Sequence, residues 1–138
     1  MRYLFYGCSS LENLNLSYFN TENVENMANM FNGCRNLIQL DISNFNNKNV
    51  EDISYMFYNC NSLKFITISH FITSKLRNMR SMFEFCFSLT SFSISNLDVY
   101  NVKIMSSMFY DCSSLVSIEL SYLNSYNLQY LDKMLFVT

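Results

Sequence analysis

The residues best equipped for chemistry are five cysteines, and their spacing argues for a different role. Cys8, Cys34, Cys60, Cys86 and Cys112 each lie 26 residues after the one before. An odd number cannot all pair within one chain. No C-x-x-C spacing offers a tetrahedral metal site. Each cysteine occupies the same point of its unit, between a Met-Phe pair and a leucine, or the equivalent residues. A free thiol in such a place serves as a small buried hydrophobe. Stacked units would bring the sulfurs near one another, so a disulfide or a soft-metal site is the alternative. Other candidate groups lack partners. His70 is the one histidine, which excludes a histidine triad and a multi-histidine metal site. Ser17, Ser43, Ser69, Ser95 and Ser121 recur without a repeating base beside them, so they read as turn residues rather than nucleophiles. The carboxylates Glu51-Asp52 have no implied partner. The methionine columns read as core filler rather than as Cu(I) ligands. These residues predict no enzyme and no cofactor.

The elements that would carry these residues follow from the period. An uninterrupted 26-residue repeat is the mark of a solenoid, in which each unit stacks on the last. Leu11, Leu37, Leu63, Leu89 and Leu115 open an L-x-x-L-x-L pattern. Its second column is Leu14, Leu40, Ile66, Phe92 and Ile118, and its third is Leu16, Ile42, Ile68, Ile94 and Leu120. The last two columns have period two, so both point inward from one short strand. Strands from about five units would pair in parallel, with the rest of each unit supplying the crossover. Phe19, Phe45, Phe71, Leu97 and Leu123 fill the far side of the core, with Val24, Val50, Leu76, Val102 and Leu128. From Met27 the apolar positions run i, i+3, i+4, i+7 to Cys34, which predicts a short helix of about two turns behind the sheet. Asn23, Asn49, Asn101 and Asn127, with Lys75 as the exception, form a polar column that would bond turn backbone. The expected architecture is one domain over 1–138, a leucine-rich-repeat-type solenoid of about five units without dedicated caps, each unit holding one short parallel strand and one short helix.

Bulk composition narrows the partners. Half of the residues are hydrophobic, which disfavours disorder, and the net charge of −2 offers no footprint for nucleic acid or an anionic membrane. No apolar run reaches the roughly 20 residues of a membrane span. The start does not read as a signal peptide, so the chain is expected to be cytosolic or to lack its targeting part.

The unit Met-Phe-x-Gly-Cys-x-x-Leu-x-x-Leu-x-Ile-Ser-x-Phe, seen at Met30–Phe45 and followed by Asn49-Val50 and by Met-x-x-Met-Phe as at 27–31, resembles the BspA-like leucine-rich repeat family. The resemblance covers essentially the whole chain. It implies parallel strands in a solenoid, a place on the cell surface or outside the cell, and a role in adhesion through protein ligands. It brings no catalytic residues.

A protein ligand is therefore expected on the outward side chains of the strands. Those are Asn15, Asp41, Thr67, Ser93 and Glu119, flanked by Asn13, Gln39, Phe65, Ser91 and Ser117; among them Asn15, Gln39, Asp41, Phe65, Thr67, Ser93 and Glu119 are the binding candidates. They vary between units while the inner columns do not. Aromatics form a second candidate: Tyr6, Tyr58 and Tyr110 share a column, Tyr18 and Tyr122 share another with His70, and Phe85 and Phe87 stand in columns that are otherwise small or polar. Glu51 and Arg77 are expected to neighbour one another across one unit, as an exposed pair. Bare solenoid ends predict end-to-end self-association, which sedimentation would register as growth with concentration.

Overall fold

In the computed structural model, residues 1–68, 74–93, 99–119, 123 and 125–137 are described. Four three-residue strands carry the regular structure: β1 Gln39–Asp41, β2 Phe65–Thr67, β3 Ser91–Ser93 and β4 Ser117–Glu119. β1 pairs with β2 and β3 with β4, both in parallel, each residue facing the one 26 positions on (Leu40 with Ile66, Phe92 with Ile118). A single 3-10 turn, Ser125–Asn127, is the only helical element among the described residues.

Two expectations are corrected here. The strands form two two-stranded sheets rather than one five-stranded sheet, and the first unit contributes no strand. The break falls between β2 and β3, where the inward column changes from Ile66 to Phe92. The Phe92 ring packs 4.7 Å from Phe83 and 5.6 Å from Phe109, taking space that an aliphatic side chain does not need. The second correction concerns 27–34, which is not a helix. Its backbone closes successive three-residue turns: Met30 N–H to Met27 O, Asn32 to Asn29, and Cys34 to Phe31. A helix would return these amides to the fourth residue back. Here the alternate amides of Met27, Asn29, Phe31 and Gly33 instead leave the segment, donating to Asp52, Ser54, Met56 and Tyr58 of the next unit at 2.8–3.0 Å. Positive φ at Asn29 (59°) and Gly33 (77°) sets this alternation. Glycine and asparagine tolerate that region. At Gly33 an added Cβ would also stand 3.5 Å from Gly7 Cα in the unit below.

The pattern recurs unit after unit. Ile53, Tyr55, Phe57 and Asn59 donate to Asn78, Arg80, Met82 and Glu84, and a parallel bridge runs through Asn26, Asp52, Asn78, Ile104 and Tyr130. Alternate amides on this side thus find a partner about one repeat away while those between them close the local turns, so the buried amides are paired.

Between the two backbone ladders lies the core. Met27, Met30, Phe31, Cys34, Leu37, Leu40 and Ile42 are buried, as are Ile53, Met56, Phe57, Cys60 and Leu63 one unit on, while Ile66 and Ile68 are partly buried. Phe5, Phe31, Phe57, Phe83 and Phe109 stack nearly parallel, neighbouring centroids 5.3–5.6 Å apart. The expected apolar positions are therefore inward even though the backbone between them is not helical. Phe45, Val50, Leu76 and Val102 are buried on the far side. The expectations for Ser69, Ser95, Ser121, Ile94, Leu120, Phe71, Leu97, His70 and Tyr122 lie outside the described residues.

Three of the four column asparagines bond turn backbone as the sequence suggests. Asn49, Asn101 and Asn127 each donate Nδ2 to a carbonyl in the preceding unit, on Glu22, Ser74 and Tyr100, at 2.8–3.0 Å. Lys75, the exception in that column, reaches Asn49 Oδ1 at 2.9 Å. A further column escaped the sequence reading. Asn26, Asp52 and Asn78 each accept the amide two residues on through Oδ1, which caps the entry to the turns. The Glu51–Arg77 pair does not form. Their backbones meet (Arg77 N–H to Glu51 O, 2.9 Å), while the guanidinium turns to the carbonyls of Ser74 and Leu76. The ion pair among the described residues is Lys48–Glu22 at 2.8 Å, also one unit apart.

Candidate functional site

Strand alternation sends Leu40 and Ile42 inward and leaves Gln39 and Asp41 exposed, and Phe65 and Thr67 follow one unit on. These four residues, with Asn13, Leu14, Asn15 and Leu40, line an open groove of about 450 Å³. Five of the seven candidate binding residues therefore meet in one place: Asn15, Gln39, Asp41, Phe65 and Thr67. Phe65 is the apolar centre of this face, 58% exposed. Ser93 and Glu119 lie apart, on the second sheet. There they line another open depression of about 390 Å³ with Ile66, Ile68 and Phe92, and Ser93 Oγ donates to Glu119 Oε2 at 2.8 Å.

Two candidates also hold their own backbone. Asn15 Oδ1 accepts from the Ser17 amide at 3.0 Å and hydroxyl at 2.7 Å. Asp41 Oδ1 accepts from the Ser43 amide at 2.9 Å. The Ser43 hydroxyl, then its amide, holds the Asp41 carboxyl below the usual carboxylate range. Strand alternation could locate these side chains, but it could not show that they cap the turn that follows.

Four of the five thiols take the place expected of core filler; Cys8, in the first unit, does not. Cys34, Cys60, Cys86 and Cys112 are buried and free, and Cys8 is exposed and free. Each buried thiol donates to a phenylalanine carbonyl in the preceding unit, from Cys34 to Phe5 at 3.2 Å through Cys112 to Phe83 at 3.0 Å. Burial pushes the Cys34 thiol up to about 11 and Cys112 to about 12, with Cys60 and Cys86 also raised. Thiols held this firmly in the neutral form are poor nucleophiles and poor metal ligands. No group of three or more His, Cys, Asp or Glu side chains among the described residues could hold a metal ion.

On the opposite side, Tyr3, Tyr55, Tyr58, Arg80 and Glu84 line an open polar groove of about 540 Å³. Near the far end, Val116, Leu135, Phe136 and Val137 expose apolar surface around a depression of about 400 Å³ that reaches Phe109 and Cys112. Among the described residues no helix is long and apolar enough to cross a membrane.

Parallel pairing at a constant 26-residue offset, from Asn26 to Tyr130, is the construction of a repeat protein. The chain belongs to the family described as "Mycoplasma protein of unknown function, DUF285", whose model matches residues 1–84 and again 63–137. No curated protein and no solved structure matches it significantly.

Proposed function

We propose that the chain is a non-enzymatic protein-binding module, built as a leucine-rich-repeat-type solenoid, whose ligand sits on the exposed strand face. The observation that carries this reading is the convergence of Asn15, Gln39, Asp41, Phe65 and Thr67 on one open groove. An exposed phenylalanine rimmed by amide, carboxylate and hydroxyl groups is the usual makeup of a protein contact, an aromatic anchor within a polar rim. A fixed inner column with a varied outer one fits the same use. Adhesion at the cell surface, which the likeness to BspA-like repeats implies, is part of this proposal. The second reading is a structural spacer, favoured by the intramolecular work that Asn15 and Asp41 already perform.

A triple variant separates the two. Asp41→Asn keeps the turn cap, because Asn15 shows that an amide oxygen suffices; Phe65→Ser and Thr67→Ala remove the anchor and a rim hydroxyl. A binder should lose at least about tenfold in affinity for a captured protein ligand while melting within a few degrees of the parent. Unchanged ligand capture by a folded triple variant would remove the ligand from the strand face, and a parent that captures no protein would favour the spacer.

A further inference from the structure

The turn side of the chain carries a cluster that the strand-face reading does not use. One column runs Tyr6, Asn32, Tyr58, Glu84, Tyr110 and Phe136, so Glu84 stands between a tyrosine one unit before and another one unit after. The neighbouring column runs Gly7, Gly33, Asn59, Phe85 and Asp111, and all five have positive φ. Phe85 adopts φ 63° where the other units place residues suited to that region. Tyr3 and Tyr55 hold the same region at another turn position, so the turn sets the backbone, and what distinguishes this unit is the Phe85 ring, which invites a use.

The ring geometry suggests that use. Phe85 lies 5.5 Å from Tyr58 at 80° and 5.8 Å from Tyr110 at 87°. Phe87, 42% exposed, adds a fourth ring 6.1 Å from Phe85. Glu84 shares a groove with Tyr58 and precedes Phe85, so a cation there would meet a carboxylate and an aromatic surface together. Glu84 is close enough to raise the Tyr58 phenol, after burial, and it also raises the Cys112 thiol, so its negative field reaches the cluster. Among the described residues the Glu84 side chain has no ion pair or hydrogen bond, and the cation seated on an aromatic face is Arg2 over Tyr3, in the same groove but on a different ring. Arg80 lines the same groove without pairing to Glu84.

We propose that Tyr58, Glu84, Phe85 and Tyr110 form a docking site for a basic side chain, arginine or lysine, of a partner protein. The chain's net charge of −2 favours the approach of such a partner. This site is independent of the strand-face groove.

Calorimetric titration of the whole chain with a hexa-arginine peptide, with hexaglutamate as control, tests it. The parent should bind the basic peptide, more weakly as salt rises, and should ignore the acidic one. Phe85→Asn restores the residue found at Asn59 and relieves the backbone, so the variant should fold at least as well; it should bind about tenfold more weakly. Glu84→Gln should weaken binding similarly, while the strand-face triple variant should bind like the parent. No binding by the parent, or parent-like binding by both Phe85→Asn and Glu84→Gln, would overturn the site. Loss in the strand-face variant alone would also overturn it, by moving basic-peptide binding to the other face.

Discussion

Phe57→Ala should destabilise the chain by about 3–5 kcal/mol, the cost of removing a fully buried phenylalanine that its neighbours cannot replace. Phe57 has no exposed surface and stacks on Phe31 and Phe83, both at 5.4 Å. Its backbone is fixed on both sides, since its amide donates to Met82 O while its carbonyl accepts the Cys86 thiol. Flanking units therefore cannot close the gap without breaking the ladder of hydrogen bonds. A domain of ordinary stability holds about 5–15 kcal/mol, so this one change approaches the threshold of unfolding. Urea denaturation followed by tyrosine fluorescence measures it. Phe65→Ala, on the exposed groove, is the comparison and should stay within about 0.5 kcal/mol. Equal losses at the two positions would mean that the phenylalanine stack is not the core.

The second large effect is alkaline. Four buried thiols have folded pKa values raised above those of the unfolded chain, chiefly by burial: Cys34 to about 11, Cys112 to about 12, with Cys60 and Cys86 in the same direction. A raised acid stays protonated in the folded state while the unfolded thiol ionises from about 8.5. The stability these thiols lend is therefore intact below about pH 8.5 and declines as pH rises toward their folded values. Each fully buried thiol gives up about 1.4 kcal/mol per pH unit across that window, so the group together can exhaust the chain's stability. The melting temperature should be level from pH 6 to 8 and fall steeply above pH 9. Replacing Cys60 and Cys86 by alanine should flatten the alkaline limb relative to the neutral plateau. A limb of unchanged slope in that variant would assign the loss to the tyrosines instead.

Much of this was legible because a 26-residue period fixes every column at once. Leu40 and Ile42 alternate with Gln39 and Asp41, so the strand and its inward face could be read directly. The asparagine column was equally plain, and Asn49, Asn101 and Asn127 bond the preceding unit as polar stacking requires. The helix misreading has a definite cause. Inward positions spaced i, i+3, i+4, i+7 arise equally from consecutive three-residue turns, so Met27, Met30, Phe31 and Cys34 are buried either way. The distinguishing signal lay in the residues between them. Gly7, Gly33, Asn59 and Asp111 form a column suited to positive φ, which a helix interior does not accept. Phe85 obscures that column, and it does so where the aromatic cluster forms. The candidate groove was readable as far as its side chains' direction. Its division from Ser93 and Glu119 was not, because the break between β2 and β3 coincides with the larger ring of Phe92, a packing effect that no column of small differences announces.

Each unit lying on the one 26 residues before it is what the groove, the thiol file and the aromatic cluster all depend on. Proton NMR of the aromatic rings tests that stacking most directly. The account predicts through-space contacts between Phe31 and Phe57, Phe57 and Phe83, and Phe83 and Phe109, whose centroids lie 5.4–5.6 Å apart, and none between Phe31 and Phe83. Absent ring contacts, together with helical amide connectivities through 27–34, would contradict it.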